Sequence, residues 1–214
     1  NWKVLILIAA LGATTAGCQT MYNTTMEKVF GFEKRQLLKK SVEDLRQEQK
    51  DTQAEFKDAL TRLKELYNFQ GGKLEDTYNK LKSAYEDAKK QADEVHKRID
   101  NMEGIAKSMF SEWEKEIGQY ENPTFAQNSR QQLTDTKNRY NQMSASVKAS
   151  AKTMEPVLKQ LSDHVLYLKH NLNAASIGAL KGEATSIQAQ IDDVVKRMND
   201  SIAEADAFIK SMAQ

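Results

Sequence analysis

The sequence predicts an all-α protein: an elongated antiparallel helical bundle or coiled coil of four long helices, with no β-sheet. Gly and Pro make up only 9 and 2 of the 214 residues, whereas sheet proteins place these residues at frequent turns. Apolar residues recur in alternating steps of four and three over long stretches, which is the heptad pattern of packed helices. Because 40% of the residues are hydrophobic, we expect one elongated core in a single domain, residues 26–214.

The strongest periodic pattern lies in the second predicted helix, residues 74–120. Its apolar positions are Leu74, Tyr78, Leu81, Tyr85, Ala88, Ala92, Val95, Ile99, Met102, Ala106, Met109 and Trp113. The first predicted helix, residues 26–68, has a similar seam with Gln49 and Thr52 as polar interruptions, which lower stability and can fix the register. The paired glycines at 71–72 are typical of a left-handed reversal, so these two helices should form an antiparallel hairpin.

Two prolines mark the third predicted helix, residues 125–172. Pro123 should end the second helix, and Thr124 is the expected N-cap of the third. Pro156 lies inside the apolar pattern, which predicts a kink or short break at residues 153–156.

The fourth helix is expected over residues 177–213, after a last turn at residues 171–176. Short connections between long helices make antiparallel neighbours. The sequence leaves open whether the helices form one four-helix bundle or a three-helix core with an extended arm.

The charged residues are nearly balanced, with 31 Lys and Arg against 30 Asp and Glu, a net charge of +1. Nucleic acid is therefore not an expected partner, because domains that bind it usually carry a basic surface. Most charges should lie on solvated helix faces that carry i,i+4 pairs, namely Glu86–Lys90, Asp93–Lys97, Glu94–Arg98 and Asp193–Arg197. Glu86 is expected on such a face.

The N-terminal segment has the features of an export signal. Val4–Ala16 is a run of 13 small and apolar residues, about 20 Å as a helix and too short for a bilayer core of about 30 Å. It fits the apolar region of a signal peptide. Thr-Ala-Gly-Cys at 15–18 looks like a bacterial lipobox, although Leu is usual where Thr15 stands. We expect residues 1–17 to be a lipoprotein signal peptide and Cys18 to carry lipid; a signal cut elsewhere would leave Cys18 a spare thiol.

The residues after the cysteine indicate a location in the cell envelope and a second contact with the membrane. Residues 18–25 are expected to form a lipid-anchored linker. By resemblance to enterobacterial lipoproteins, Asp directly after the lipidated cysteine would signal retention at the inner membrane. This sequence has Gln19 there, which favours an outer-membrane lipoprotein facing the periplasm. Tyr22, Phe30 and Phe32 lie beside basic residues and are candidates for contact with the membrane surface. The alternative is that the two phenylalanines begin the core face of the first helix.

The sequence contains no arrangement of residues that indicates catalysis. No two of the three histidines, His96, His164 and His170, stand at i,i+3 or i,i+4, so one helix cannot present two of them to a metal. Asp163 adjoins His164, but adjacent residues of a helix point apart. We therefore expect no enzyme activity, no catalytic residue, no metal site and no cofactor.

One polar cluster is not explained by the heptads: Tyr167, His170, Asn171 and Asn173. In a structural interpretation His170 lies at the negative end of a helix, with Asn171 or Asn173 as a left-handed cap. In a functional interpretation the four residues form a recognition patch at the end of the bundle.

Four segments together resemble an uncharacterised proteobacterial family. They are Asn68–Gly72, Glu155–Leu158, Leu166–Asn173 and Ala203–Phe208, within a resemblance that covers residues 26–212. The family is filed as a domain of unknown function, and its members look like secreted, usually lipid-anchored helical proteins. The resemblance implies an envelope location and no enzymatic activity, and it supplies no catalytic residues.

The leading functional hypothesis is a non-enzymatic scaffold or interaction module, tethered to the membrane by lipid on Cys18, whose partners are other proteins or further copies of itself. No small-molecule substrate is expected. One alternative is a bundle that binds an apolar ligand, which would need small facing residues such as Ala88 and Ala92. Another is a peripheral membrane-remodelling protein, which would need an exposed basic or apolar stripe.

Overall fold

The computed structural model describes residues 30–69 and 71–212, with side chains from Glu33 onward. Helices make up 92% of this part of the chain, which contains no strand. The α-helices are α1 (Phe30–Tyr67), α2 (Leu74–Ile117), α3 (Pro123–Lys152), α4 (Met154–His170), α5 (Ala174–Leu180) and α6 (Ala184–Met212), and a 3-10 turn, Lys181–Glu183, joins the last two. The all-α prediction is confirmed.

The helices form one up-down-up-down bundle in which α3 and α4 together make the third long element. α1 packs along α2, α2 packs against α3 and α4, and α6 packs against α3 and closes the ring on α1. The described residues therefore form a four-helix bundle, and within them no helix extends from it as a separate arm. We call the end with the start of α1 and the α2–α3 turn the base. The opposite end, with residues 68–73 and 171–183, is the tip.

The first reversal depends on two glycines, as the sequence predicts. Gly71 and Gly72 have φ values of 151° and 103°, which side chains with a Cβ rarely adopt. The chain can therefore turn back at the tip and begin α2 at Leu74.

The second reversal corrects the predicted cap. Asn122, not Thr124, is the N-cap of α3, and Pro123 is its first residue. The Asn122 Oδ1 accepts hydrogen bonds from the backbone N–H of Thr124 at 2.9 Å and of Phe125 at 3.4 Å. Pro123 fits at this position because the first residues of a helix have no intrahelical partner for their N–H groups.

The predicted break near Pro156 is confirmed and lies at Thr153, between α3 and α4. Pro156 has no N–H for the carbonyl of Lys152, and its ring crowds that carbonyl. The Thr153 backbone N–H and hydroxyl both donate to the Ser150 carbonyl, at 3.1 and 2.6 Å. These bonds close the last turn of α3.

The predicted fourth helix, residues 177–213, is wrong in its start and its continuity. The chain becomes helical at Ala174, three residues earlier, and the 3-10 turn interrupts the element. Asn173 makes the early start favourable because its side chain accepts a hydrogen bond from the Ser176 N–H at 3.0 Å. Gly182 lies in the 3-10 turn, where its backbone freedom weakens a regular helix.

The heptad positions form a continuous hydrophobic core. In α2 all twelve seam residues are buried except Leu74, Tyr85 and Trp113, which are half-buried against the core. Ile99 is only 4% exposed, whereas Glu86 on the opposite face is exposed. The sequence therefore assigned the buried face of α2 correctly.

One polar interruption of the α1 seam, Gln49, forms a polar layer against α6 together with Gln53, and the Thr52 hydroxyl donates to the Glu48 carbonyl of its own helix. Gln49 and Thr52 are fully buried. The Gln49 Nε2 donates to the Ser201 Oγ at 2.8 Å, and the Gln53 Nε2 donates to the Asn199 Oδ1 at 3.0 Å. A shift of one helix along the other would break these bonds and leave buried polar groups unpaired, so this layer favours one register.

One of the four expected i,i+4 pairs forms a salt bridge and the other three do not; Glu86 pairs instead with Lys82. Asp193 and Arg197 lie 2.8 Å apart. Arg98 instead contacts Glu48 of α1 at 3.5 Å, and Glu94 pairs with a lysine of its own helix. A long side chain at the edge of a helix interface can reach the neighbouring helix, and i,i+4 spacing does not reveal this alternative.

We expect Tyr140 to make the bundle sensitive to alkali. Burial raises the pKa of its hydroxyl to about 12; the Glu103 charge adds to this shift and the Ser144 hydroxyl opposes it. Since the pKa is raised on folding, the stabilisation is complete below about pH 10 and is lost as the pH rises toward 12. Between pH 8 and pH 11, the free energy of unfolding of both proteins should fall, and the fall should be about 1.4 kcal/mol smaller for Tyr140→Phe than for the wild type.

Urea unfolding of both proteins at pH 8 and pH 11 measures this difference. The change between pH 6 and pH 8 is the control, because tyrosine does not titrate there and the two proteins should respond alike. Equal alkaline losses in both proteins would contradict the prediction.

Candidate interaction site

The structure brings the four predicted patch residues together at the tip. Tyr167 and His170 lie in the last turn of α4, Asn171 is its C-cap, and Asn173 is the N-cap of α5. The Asn171 Nδ2 donates to the Tyr167 carbonyl at 3.0 Å. The Asn173 Oδ1 accepts from the Ser176 N–H, as described above. The two asparagines therefore have structural roles at helix ends, where backbone groups lack partners within the helix.

The expected left-handed cap is wrong for both asparagines. Asn171 has φ −127° and ψ 41°, and Asn173 has φ −148° and ψ 166°. The reason is the short connection between the two helices: an N-cap residue needs extended backbone, and Asn173 must adopt it three residues after α4 ends at His170.

Two large side chains beside this connection are open to solvent. Leu166 is 62% exposed and Tyr167 is 43% exposed. Leu166 also borders a shallow groove of about 340 Å³ between α2 and α4, with Tyr78, Tyr85 and Lys169. An apolar, aromatic and basic surface of this kind suits contact with another protein, because tyrosine is enriched among the few residues that provide most of the binding energy at interfaces. We call Leu166, Tyr167 and His170 the tip surface.

Leu166 was not among the residues that sequence reasoning singled out. The signal was present, because the buried seam of α4 follows Leu161, Val165 and Leu168 and Leu166 lies outside that pattern. A large apolar residue off the seam of a helix is expected to be exposed.

A network of hydrogen bonds under the tip surface joins three elements, and Glu183 is its exposed member. The Tyr67 hydroxyl lies 2.5 Å from the His164 Nδ1, and the His164 Nε2 lies 2.9 Å from the Glu183 Oε2. Because a carboxylate only accepts hydrogen bonds, Nε2 carries the ring proton and donates it to Glu183, which leaves Nδ1 to accept from Tyr67. Burial, with the Glu183 charge adding, raises the pKa of the Tyr67 hydroxyl well above its usual range.

The network holds the 3-10 turn against α4 and α1. His164 is only 3% exposed and Tyr67 is also buried, whereas the Glu183 side chain is 64% exposed, so the imidazole joins a buried hydroxyl to a carboxylate at the surface. The exposed Asp163 does not belong to the network, in agreement with the sequence argument. The partners of His164 come instead from α1 and from the 3-10 turn.

The residues predicted to meet the membrane lie largely outside the described part of the chain. Cys18 and Tyr22 precede it, and residues 1–17 and 18–25 do so as well. Phe30 and Phe32 are backbone positions in the first turn of α1, and their side chains lie outside the description.

Within residues 30–69 and 71–212, no group of three or more His, Cys, Asp or Glu side chains is arranged to hold a metal ion. None of the helices in these same ranges is both long enough and apolar enough to span a membrane.

The fold and the tip surface define an elongated four-helix-bundle protein with buried polar layers and exposed apolar side chains at its tip. The chain belongs to the family described as "Protein of unknown function (DUF2959)", whose model matches residues 22–212. Neither a curated protein nor a solved structure matches the chain.

Proposed function

We propose that this protein is a non-enzymatic lipoprotein of the cell envelope of a proteobacterium. It is tethered to the outer membrane through lipid on Cys18, faces the periplasm, and acts as a helical scaffold that presents the tip surface to a protein partner. The observation that carries this proposal is the exposure of Leu166 and Tyr167 at the end of the bundle opposite to the start of α1.

The bundle geometry supports a scaffold that separates two surfaces. α1 has 38 residues and is therefore about 57 Å long. The chain from Cys18 enters at the base, so a lipid at Cys18 would hold the tip surface several tens of ångströms from the bilayer. Antiparallel long helices with a continuous core keep the distance between the base and the tip fixed.

The non-enzymatic part of the proposal is supported by the use of the polar groups. His164, Tyr67 and Glu183 are the residues that most resemble a reactive cluster, and they are hydrogen-bonded to one another under the tip surface. The Tyr67 hydroxyl and the His164 imidazole belong to buried residues, so a bound molecule has no direct access to either group.

The ligand-binding alternative has less support. Ala88 and Ala92, the small residues that a cavity between the helices would use, belong to the continuous core cluster.

A membrane-remodelling role would use an exposed stripe along one helix. In the described part of the chain, the exposed large hydrophobic residues are Leu37, Tyr120, Phe125, Leu166 and Tyr167, which lie near the two ends of the bundle.

A photo-cross-linking amino acid placed at Tyr167 in living cells tests the scaffold proposal. We expect one specific protein adduct, which Leu166→Glu abolishes and His170→Gln weakens, while protein amount and thermal unfolding stay unchanged because these side chains are exposed. Leu37→Glu is the matched control, an exposed leucine near the base, and it should leave the adduct intact. An adduct that persists in Leu166→Glu would contradict the proposal.

The anchor is checked in the same cells. Globomycin, which inhibits the lipoprotein signal peptidase, should cause the precursor to accumulate, and intact mass should show a mature chain that begins at lipidated Cys18. A free Cys18 thiol in the mature chain would refute the tether without affecting the tip surface.

A further inference from the structure

The α2–α3 turn at the base exposes two aromatic side chains within six residues. Tyr120 is 48% exposed and Phe125 is 59% exposed. The turn holds them in defined positions: Asn122 caps the first turn of α3, which contains Phe125, and the Tyr120 N–H donates to the Ile117 carbonyl at 3.5 Å. Single exposed apolar residues are common on proteins, but two aromatic rings on one ordered turn form a local patch.

This aromatic pair lies at the same end of the bundle as the start of α1. The Lys34 ammonium group contacts the Glu112 carboxylate at 2.9 Å, and the Arg35 guanidinium lies 5.5 Å from the centre of the Trp113 ring. These contacts join the first turns of α1 to the last turns of α2. The pair lies directly beyond them along the chain.

The position of Cys18 limits how far the base can lie from a membrane. Phe30 follows Cys18 by 12 positions, and even a fully extended chain of this length reaches at most about 40 Å. The tip lies about 57 Å farther along α1. Of the exposed apolar residues, the aromatic pair lies on the turn at the end nearest to Cys18, Leu37 lies seven residues into α1, and Leu166 lies at the far end.

We infer that Tyr120 and Phe125 contact the interfacial region of the bilayer and seat the base of the bundle on the membrane. This inference rests on the proposed lipid anchor at Cys18. Tyrosine suits the interface because its ring is apolar and its hydroxyl is polar, and such rings concentrate at the level of the lipid headgroups.

The charges near the turn are mixed, so the aromatic rings provide the contact. Lys115 and Arg130 are exposed there, and so is Glu121. A contact driven by basic residues would require anionic lipids, whereas this contact should also form on zwitterionic vesicles.

The test uses the full-length lipidated protein in phosphatidylcholine vesicles. Glu121→Cys receives a nitroxide spin label beside the aromatic pair, and Leu166→Cys receives the same label at the tip as the matched control. The sequence has no other cysteine than Cys18, whose sulfur is blocked when lipidated. A nickel-chelating lipid in the vesicles shortens the relaxation time of a label only at the bilayer surface, and a soluble nickel complex reports access from water.

We expect the label at 121 to be relaxed by the nickel lipid and protected from the soluble complex, and the label at 166 to behave in the opposite way. Tyr120→Ser with Phe125→Ser should abolish the effect of the nickel lipid at 121. Both side chains are exposed, so the variant should keep the unfolding curve of the parent.

Each other outcome overturns the inference in a recognisable way. Protein that does not float with the vesicles refutes the Cys18 anchor and the inference with it. Protein that floats, with a label at 121 that only the soluble complex relaxes, refutes the membrane contact alone. A label protected from the soluble complex but not relaxed by the nickel lipid means that the N-terminal segment or a second copy covers the pair. A nickel-lipid effect that the serine variant retains also refutes the role of the two rings.

Discussion

Ile99→Ala should lower the free energy of unfolding by about 2–5 kcal/mol, the usual cost of truncating a large aliphatic side chain in a core. Ile99 lies near the middle of α2, is almost fully buried and belongs to the continuous core cluster. The substitution removes apolar contacts and leaves a cavity that long, straight helices cannot easily close. Since small domains have total stabilities of about 5–15 kcal/mol, this loss would be visible as a large decrease in the urea midpoint.

Two variants on the same helix are the controls for this measurement. Ile105→Ala makes the same chemical change at a half-buried position, and it should cost clearly less than Ile99→Ala. Glu86→Ala removes an exposed carboxylate whose contact with Lys82 is 3.7 Å long, and it should cost under about 0.5 kcal/mol. If Ile105→Ala or Glu86→Ala were as costly as Ile99→Ala, the core would lie on another face of α2.

The buried face of α2 could be predicted from the sequence because helix packing follows a short-range rule. Residues that repeat in steps of three and four lie on one side of a helix, so the pattern alone places Ile99 inside and Glu86 outside. The break near Pro156 and the reversal at the paired glycines depend on single residues, and they were also predictable.

The ends of the helices were harder to predict because neighbouring residues compete for the same role. Asn122 and Thr124 can both cap a helix, and Pro123 fits either before a helix or as its first residue. The structure selects Asn122. Sequence reasoning treated Pro123 only as a terminator and therefore began the third helix two residues too late.

The site at the tip was predictable in part. The exposed Tyr167 and His170 were found because the segment departs from the heptads. The network beneath them could not be found, since Tyr67, His164 and Glu183 lie on three elements, separated by 97 and 19 positions. Only the register of the bundle brings them together, and heptad patterns do not specify which polar side chains meet across helices.

Tyr67→Phe and His164→Leu should be strongly non-additive. Each single change leaves a buried polar group without its partner: the imidazole Nδ1 loses its donor in the first, and the Tyr67 hydroxyl loses its acceptor in the second. An unpaired buried group costs about 1–3 kcal/mol. The double variant removes both groups, so it should be less destabilised than the sum of the single variants, by a coupling energy of about 1–3 kcal/mol.

Urea unfolding of the wild type, both single variants and the double variant at pH 7 gives this coupling energy. The control cycle combines His164→Leu with Tyr140→Phe, because Tyr140 packs against Phe110 and Phe208, in a different part of the bundle. Changes at separate sites should add within about 0.5 kcal/mol. If Tyr67 and His164 were as additive as the control pair, the hydroxyl–imidazole bond would not stabilise the tip.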